Sequence, residues 1–296
     1  MNSKGQSALM SPLLQLHLSI LLFGGTALFS ALIPLPATEI TAYRAAIASL
    51  VLGSLVLYRR GHLKLMRYRD YGVITLLGVI VGLHWVTYFA SMQASSVAIG
   101  MISFFTYPVM TVIAEPLSKK QLPKAADLIS AMVVLAGIAL LVPSPSLSDN
   151  LTQGVALGII SAALFTARNL IQKRWFSGYD GPTTMAYQTG VAALMLLPFC
   201  TRPPTELDSS GLGLLLLLAV VFTALPHALM SQSLRHLAAK TVSLVGCLQP
   251  LYGVSLAALV LAQWPDARTL AGGVLVVCAA LFETHQQSRA QGKKTR

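Results

Sequence analysis

Charge is what this 296-residue sequence has least of: Asp, Glu, Lys and Arg together make up 10% of it, against roughly a quarter in an ordinary soluble domain. A water-facing fold of this length could not cover its surface with so few charged groups, so a soluble globule is excluded. Only three cysteines occur, Cys200, Cys247 and Cys278, with no CxxC pair among them. Neither a disulfide framework nor a zinc site is indicated. Alternating polar and apolar stretches are absent as well, which removes a transmembrane β-barrel. The sequence holds no GxSxG, no HExxH and no Walker motif. Enzymatic chemistry and ATP hydrolysis by this chain therefore find no support, and no metal or cofactor is expected.

What is abundant is apolar sequence: 55% of the residues are hydrophobic, and mean hydropathy is +0.68. A hydrocarbon core of about 30 Å needs about 20 helical residues, and runs of that order recur along the chain. They predict an all-α membrane protein with ten transmembrane helices at residues 12–33, 37–58, 71–91, 97–117, 125–142, 154–172, 183–200, 212–231, 242–262 and 269–282. The first run is longer than the apolar segment of a signal peptide, so it counts as a span.

The net charge of +11 does not point to nucleic acid, because the basic residues sit in short loops between the runs. They set orientation instead. With the N-terminus inside, 17 of the 21 Lys and Arg residues fall in inner segments. Lys4, Arg59, Arg60, Lys64, Arg67 and Arg69 are among these, as are Lys119, Lys120, Lys124, Lys173, Arg174, Arg235, Lys240, Arg289, Lys293, Lys294 and Arg296. The expected location is the cell membrane, with both termini cytoplasmic.

The two halves, residues 1–143 and 144–296, resemble each other. Ala42-Tyr43-Arg44 answers Ala186-Tyr187-Gln188, and Ala27-Leu28-Phe29-Ser30-Ala31 answers Ala163-Leu164-Phe165-Thr166-Ala167. Pro108 in the fourth run answers Pro250 in the ninth. Five spans per half is an odd number, so the second half enters the membrane inverted. Such inverted five-helix repeats are the basis of alternating access in secondary transporters.

The chain resembles the EamA branch of the drug/metabolite transporter superfamily over nearly its whole length. The resemblance rests on His84-Trp85-Val86-Thr87-Tyr88-Phe89-Ala90, Ser95-Ser96-Val97-Ala98-Ile99-Gly100, Phe105-Thr106-Tyr107-Pro108, Glu115-Pro116-Leu117 and Leu248-Gln249-Pro250-Leu251. Many relatives close the fourth and ninth spans with Lys-Glu or Gly-Glu, where this chain has Lys120-Gln121 and Ala262-Gln263. The resemblance implies two inverted five-helix repeats. It also implies export or exchange of a small organic metabolite, such as an amino acid or an amphipathic compound, without naming it. Efflux of drugs or toxic compounds is the alternative reading, and a channel or a non-transporting membrane subunit lies outside the class.

Ionisable groups inside spans are costly, so each is a candidate for function. Glu39, Tyr43 and Arg44 share the second run, with Arg44 within reach of Glu39. The pair reads either as a carboxylate-binding Arg44 that releases Glu39 on ligand arrival or as an interfacial ion pair. His84, Trp85 and Tyr88 cluster on the third run, as a ligand-stacking face or as interhelical packing. Tyr107, Gln249 and His227 stand beside Pro108, Pro250 and Pro226, where a proline-disturbed backbone either lines a cavity or merely kinks. Gln188 takes the place of Arg44 in the second half. Glu115 is a gate anchor or a surface ion pair with Lys119 and Lys120. Arg168, near an inner loop, reads as a snorkelling side chain. Gly24-Gly25 and Gly272-Gly273 read as close-packing positions. Glu39 and His84 are the candidate carriers if a proton is coupled; the oligomeric state is not legible.

Overall fold

The computed structural model describes residues 11–59, 61–123, 125–141, 146, 149–233 and 245–294. Lys4, Arg60, Lys124, Arg235, Lys240 and Arg296 lie outside the described residues, as do the 143/144 junction and the start of the ninth expected run at Val242. Among the described residues the chain is helical, with no strand.

In order, the helices are α1 (Pro12–Gly25), α2 (Phe29–Leu32), α3 (Ala37–Tyr58), α4 (Tyr68–Ala94), α5 (Val97–Phe104), α6 (Tyr107–Ser118), α7 (Ala125–Leu141) and α8 (Asn150–Trp175). There follow α9 (Gly181–Leu196), α10 (Ser209–Ala219), α11 (Leu225–Ser233), α12 (Gln249–Leu261) and α13 (Ala267–Lys294). A 3₁₀ turn at Thr26–Leu28 joins α1 to α2, and a π-helical turn at Val220–Ala224 joins α10 to α11. Among the described residues six stretches are long and apolar enough to cross a bilayer: Pro12–Leu32, Ala37–Tyr58, Tyr68–Ala94, Val97–Ser118, Asn150–Trp175 and Ser209–Met230. Ala125–Leu141, Gln249–Leu261 and Ala267–Phe282 are shorter apolar helices. Leucines such as Leu50, Leu194 and Leu259 stay exposed, which suits a hydrocarbon solvent and not water. This is a multi-pass membrane protein.

The scarce acids have a consistent use. Asp149 and Asp208 cap α8 and α10 by accepting backbone N–H bonds, and Asp180 stands at the N-cap of α9. Glu39, Asp70 and Asp127 sit in the first turns of α3, α4 and α7. Asp266 accepts from the Thr269 backbone N–H at 2.8 Å as α13 begins. Those hydrogen bonds from Thr269 hold its carboxyl below the usual carboxylate range. Negative charge at a helix N-terminus satisfies free N–H groups and complements the helix dipole. Seven of the ten acids therefore stand at helix starts.

Close crossings rely on glycine. Gly24 of α1 lies against the α12 backbone at Gln249 and Gly253, and Gly137 of α7 faces Gly272 of α13. A Cβ at Gly272 would stand 2.7 Å from the Gly137 carbonyl oxygen, too close for either backbone to remain in place. Gly25 and Gly273 meet Phe222 and Ile102, so both glycine pairs serve packing as expected.

Two corrections concern proline. Pro108 and Pro250 do not kink continuous helices; each stands in the first turn of a new one. The chain breaks at Phe105–Thr106 and again at Cys247–Leu248. Proline lacks an N–H and has a fixed φ, so the first turn is where it costs least. At the first break the Thr106 hydroxyl donates to the Ser103 carbonyl at 2.9 Å, which satisfies one of the freed oxygens.

Candidate functional site

A cavity of 390 Å³ lies in the middle of the bundle, with walls from α1, α3, α4, α5, α6, α8, α11 and α12. Both breaks open onto it, through Tyr107 and Pro108 on one side and Gly246, Cys247 and Gln249 on the other.

Arg44 is buried in its wall, with 2% of its surface exposed. Its guanidinium carbon lies 4.1 Å from the Trp85 ring centre and 4.4 Å from that of Phe89. Nε and Nη2 are buried and have no hydrogen-bond partner, and the buried Tyr88 hydroxyl has none either. Contacts of this kind are worth about 2 kcal/mol each when desolvated. Burying a cation costs several kcal/mol, so the rings offset only part of that. The Arg44–Glu39 pair is not formed. Five residues along a helix turn the side chains about 140° apart, and Glu39 points to the 200–202 loop. There it accepts from Thr201 N and Oγ1 at 3.0 Å each and from Arg202 N at 3.1 Å.

Around the cavity stands an aromatic wall. The rings of Phe104 and Tyr107 are stacked 5.1 Å apart, and Phe165 meets Tyr107 edge-on at 4.8 Å. His84 lies 5.2 Å from Phe104 and 5.1 Å from Phe165. Its Nδ1 is 2.7 Å from Ser161 Oγ, while that hydroxyl donates to the His84 carbonyl at 3.0 Å. Because the serine proton is so used, Nδ1–H is the donor in the first bond, and Nε2 of the neutral ring is left as an acceptor. His227 completes the wall, 6.3 Å from Trp85 and 4.8 Å from Phe23.

A second guanidinium faces the same space. Arg168 of α8 donates through Nε to Gln188 Oε1 at 2.9 Å and through Nη1 to Asn169 Oδ1 at 3.1 Å. Gln188 is fully buried and donates onward to Gln172 at 2.8 Å. Gln172 in turn donates to Thr184 at 3.2 Å. The snorkelling expectation for Arg168 fails because this buried amide chain draws the side chain sideways into the bundle.

An intramembrane cavity built from broken helices, aromatic rings and an unpaired cation is the architecture of a solute carrier. The EamA-like transporter family matches the sequence twice, at residues 10–142 and 152–283. The chain belongs to that family. It is 25% identical over 284 residues to the uncharacterized transporter YxxF of Bacillus subtilis strain 168, covering 94% of this chain and 91% of that one. It is 27% identical over 259 residues to the pseudopaline exporter CntI of Pseudomonas aeruginosa strain PAO1, covering 84% and 87% of the two chains. A solved crystal structure shares the fold with a TM-score of 0.65 at 16% identity, over 95% of this chain and 98% of the other.

Within this EamA-like chain, Arg44, His84, Trp85, Tyr88, Tyr107, Pro108, His227 and Gln249 come together at the cavity. Tyr43, Gln188, Glu39, Glu115 and Pro250 do not line it. The Tyr43 hydroxyl donates to the Arg202 carbonyl at 2.5 Å, beside the Glu39 contacts. Gln188 sits behind Arg168. Glu115 pairs with Lys119 and with Lys173, both at 3.0 Å, and not with Lys120. Lys120 instead turns the chain at the end of α6 with φ 57°.

The sequence reading did not single out Phe104, Phe165, Thr111 or Asn169. Phe104 and Phe165 are ordinary core residues by pattern, and only the break after α5 aims them at one space. Arg168 was visible as an intramembrane charge. The pointer to its role was Gln188, whose amide lies where the first half has a cation.

Proposed function

We propose that this protein is a secondary transporter that exports a small organic metabolite by alternating access. Ten spans, arranged as two inverted five-helix repeats over 1–143 and 144–296, carry the cycle, with both termini cytoplasmic. The observation that carries the reading is the cavity itself: it is assembled from both halves around Arg44, a buried cation whose hydrogen-bonding atoms are unused.

Several features support the repeat. Arg44 and Gln188 are each the eighth residue of their helices, α3 and α9. Tyr107-Pro108 and Gln249-Pro250 each open a helix after a break, 142 residues apart. The described non-glycine residues with positive φ are Lys120 at 57° and Ala262 at 54°, again 142 apart. The family's two matches fall one on each half.

In this reading Arg44 grips a carboxylate. Trp85, Tyr88, Tyr107 and His84 hold the apolar body, and His227 and Gln249 close the far wall. Tyr43 and Gln188 act from behind the first contacts. Glu39, with Tyr43, ties α3 to the 200–202 loop and serves as the outer gate. Glu115, bonded across the halves to Lys173, serves as the inner one. The breaks at Pro108 and Pro250 are the points of flexure. Glu39 has a gating part here, which leaves His84 as the proton-carrier candidate if a proton is coupled.

The test is flux through the purified protein in liposomes, using a pooled panel of labelled metabolites with amino acids and their derivatives foremost. Saturable efflux of one class, lost in Arg44→Gln and in Tyr107→Ala, is the expected result. Unchanged flux of that class in Arg44→Gln would remove Arg44 from the site.

A further inference from the structure

We infer that the cargo is an organic anion carrying two acidic groups on an apolar, aromatic-sized body; this rests on the transport reading above and narrows its substrate class. The argument begins with charge. Among the described residues the cavity presents two guanidinium groups, Arg44 and Arg168, and no carboxylate. The shortage is built into the chain, because its ten acids are all accounted for elsewhere. Seven stand at helix starts. Glu115 is paired with lysines, Glu206 lies in the turn before α10, and Glu283 falls beyond the apolar part of α13 that ends at Phe282. None of the residues outside the description is acidic. These two cations therefore have no carboxylate counter-charge from the protein.

Unused donors accompany the charge. Nε and Nη2 of Arg44 and the Tyr88 hydroxyl are buried without partners, and both residues belong to the cavity wall. The α6 and α12 helices both begin at the wall, and helix N-termini carry partial positive charge. An ammonium group would find two like charges here and no carboxylate to receive it. A zwitterionic amino acid is disfavoured for that reason.

The two guanidiniums also lie at different depths. Arg44 packs on Trp85 and Phe89, at the level of His84. Arg168 is seven residues beyond Ser161, the hydrogen-bond partner of His84. At the helical rise that places its Cα about 10 Å further along the bundle. A cargo with acidic groups at both ends of an apolar body answers to both cations and fills the aromatic wall between them.

Four probe types sharing a phenyl body test this by quenching of tryptophan fluorescence, since Trp85 lines the cavity. They are dicarboxylates of two spacings (phenylsuccinate and 3-(4-carboxyphenyl)propionate), the monocarboxylate 3-phenylpropionate, zwitterionic phenylalanine and the amine phenethylamine. The expected result is at least tenfold tighter binding of one dicarboxylate than of the monocarboxylate. Neither phenylalanine nor the amine should compete. Arg168→Gln should abolish the preference for two acidic groups while the monocarboxylate still binds. The wild-type series decides the matter even if that variant does not fold. Phenylalanine binding as tightly as either dicarboxylate overturns the inference, as does a preference that survives in well-folded Arg168→Gln. Efflux of phenylalanine alone from liposomes would sink the anion assignment and keep the transporter. Tight dicarboxylate binding with no flux of any probe would do the reverse.

Discussion

Arg44 and Arg168 are the same residue type in one cavity, and their surroundings give them different roles. Arg44 has two ring faces and no hydrogen bond, so Nε and Nη2 keep their bonding capacity unused. Arg168 has its direction set by Gln188 and Asn169. Lysine could not replace Arg44, because a compact ammonium cannot lie flat against two rings while presenting a fork of donors. Gln188→Leu is expected to leave the Arg168 charge in place and remove the acceptor that aims it. It also strands the Gln172 amide oxygen that Gln188 satisfies. A stranded polar group costs about 1–3 kcal/mol when fully buried and less at the half-buried Gln172. The expected outcome is a lower unfolding temperature in detergent together with weakened cargo binding, read by thermal unfolding and by the same fluorescence titration. Unchanged binding in Gln188→Leu would mean that Arg168 needs no positioning. At this scale the sequence was a fair guide to identity and a poor one to pairing. Arg44, His84 and Trp85 announce themselves as polar or amphipathic groups within apolar runs. Whether Glu39 reaches Arg44 depends on helix phase and on a loop more than 150 residues away, which no local pattern records.

Among the elements, the breaks matter most. A short α5 followed by α6, and the matching start of α12, bring backbone ends and aromatic side chains to the bundle centre, where continuous helices would bury both. The prolines marked these places in the sequence, although their role is to begin a helix and not to bend one. The ends of the bundle are held by specific ties between the halves. Glu39 with Thr201 and Arg202, and Tyr43 with Arg202, join one end. Glu115 with Lys173, and Tyr179 with Asp70, join the other. Tyr179, outside the spans, has its hydroxyl pushed up first by loss of water and then by that hydrogen bond, so the tie is intact at neutral pH and is lost only as alkali removes the proton. Glu39→Gln weakens three bonds to a charged acceptor, each worth about 1.5–3 kcal/mol. It should shift the population toward the state open at that end by about tenfold or more. Native Cys200 adjoins the tie and can report the shift in a Cys247→Ser, Cys278→Ser background. Labelling of Cys200 by a membrane-impermeant maleimide should rise severalfold in Glu39→Gln. An unchanged labelling rate would show that the tie is structural and not a gate.

Taken as a whole, the molecule was most legible where physics is bulk: sparse charge and long apolar runs fix a multi-span helical protein, and basic loops suggest its orientation. The proposed repeat was readable only as scattered words, because apolar sequence says little about which helix packs on which. The acid-free cavity has an electrical consequence. Over a complete cycle the protein's own charges return to where they began, so the charge carried across the membrane is that of the cargo alone. A cell interior is negative, and each elementary charge is worth about 2.3 kcal/mol per 100 mV. An outward-moving dianion would gain about twice that, enough to hold roughly a thousandfold gradient or more without help from any ion. The resting voltage would then act as the engine and the two arginines as its terminals. Liposomes clamped with potassium and valinomycin should show dicarboxylate efflux that rises with inside-negative voltage and ignores an imposed pH gradient. Flux that follows the pH gradient and not the voltage would assign the work to a coupled proton.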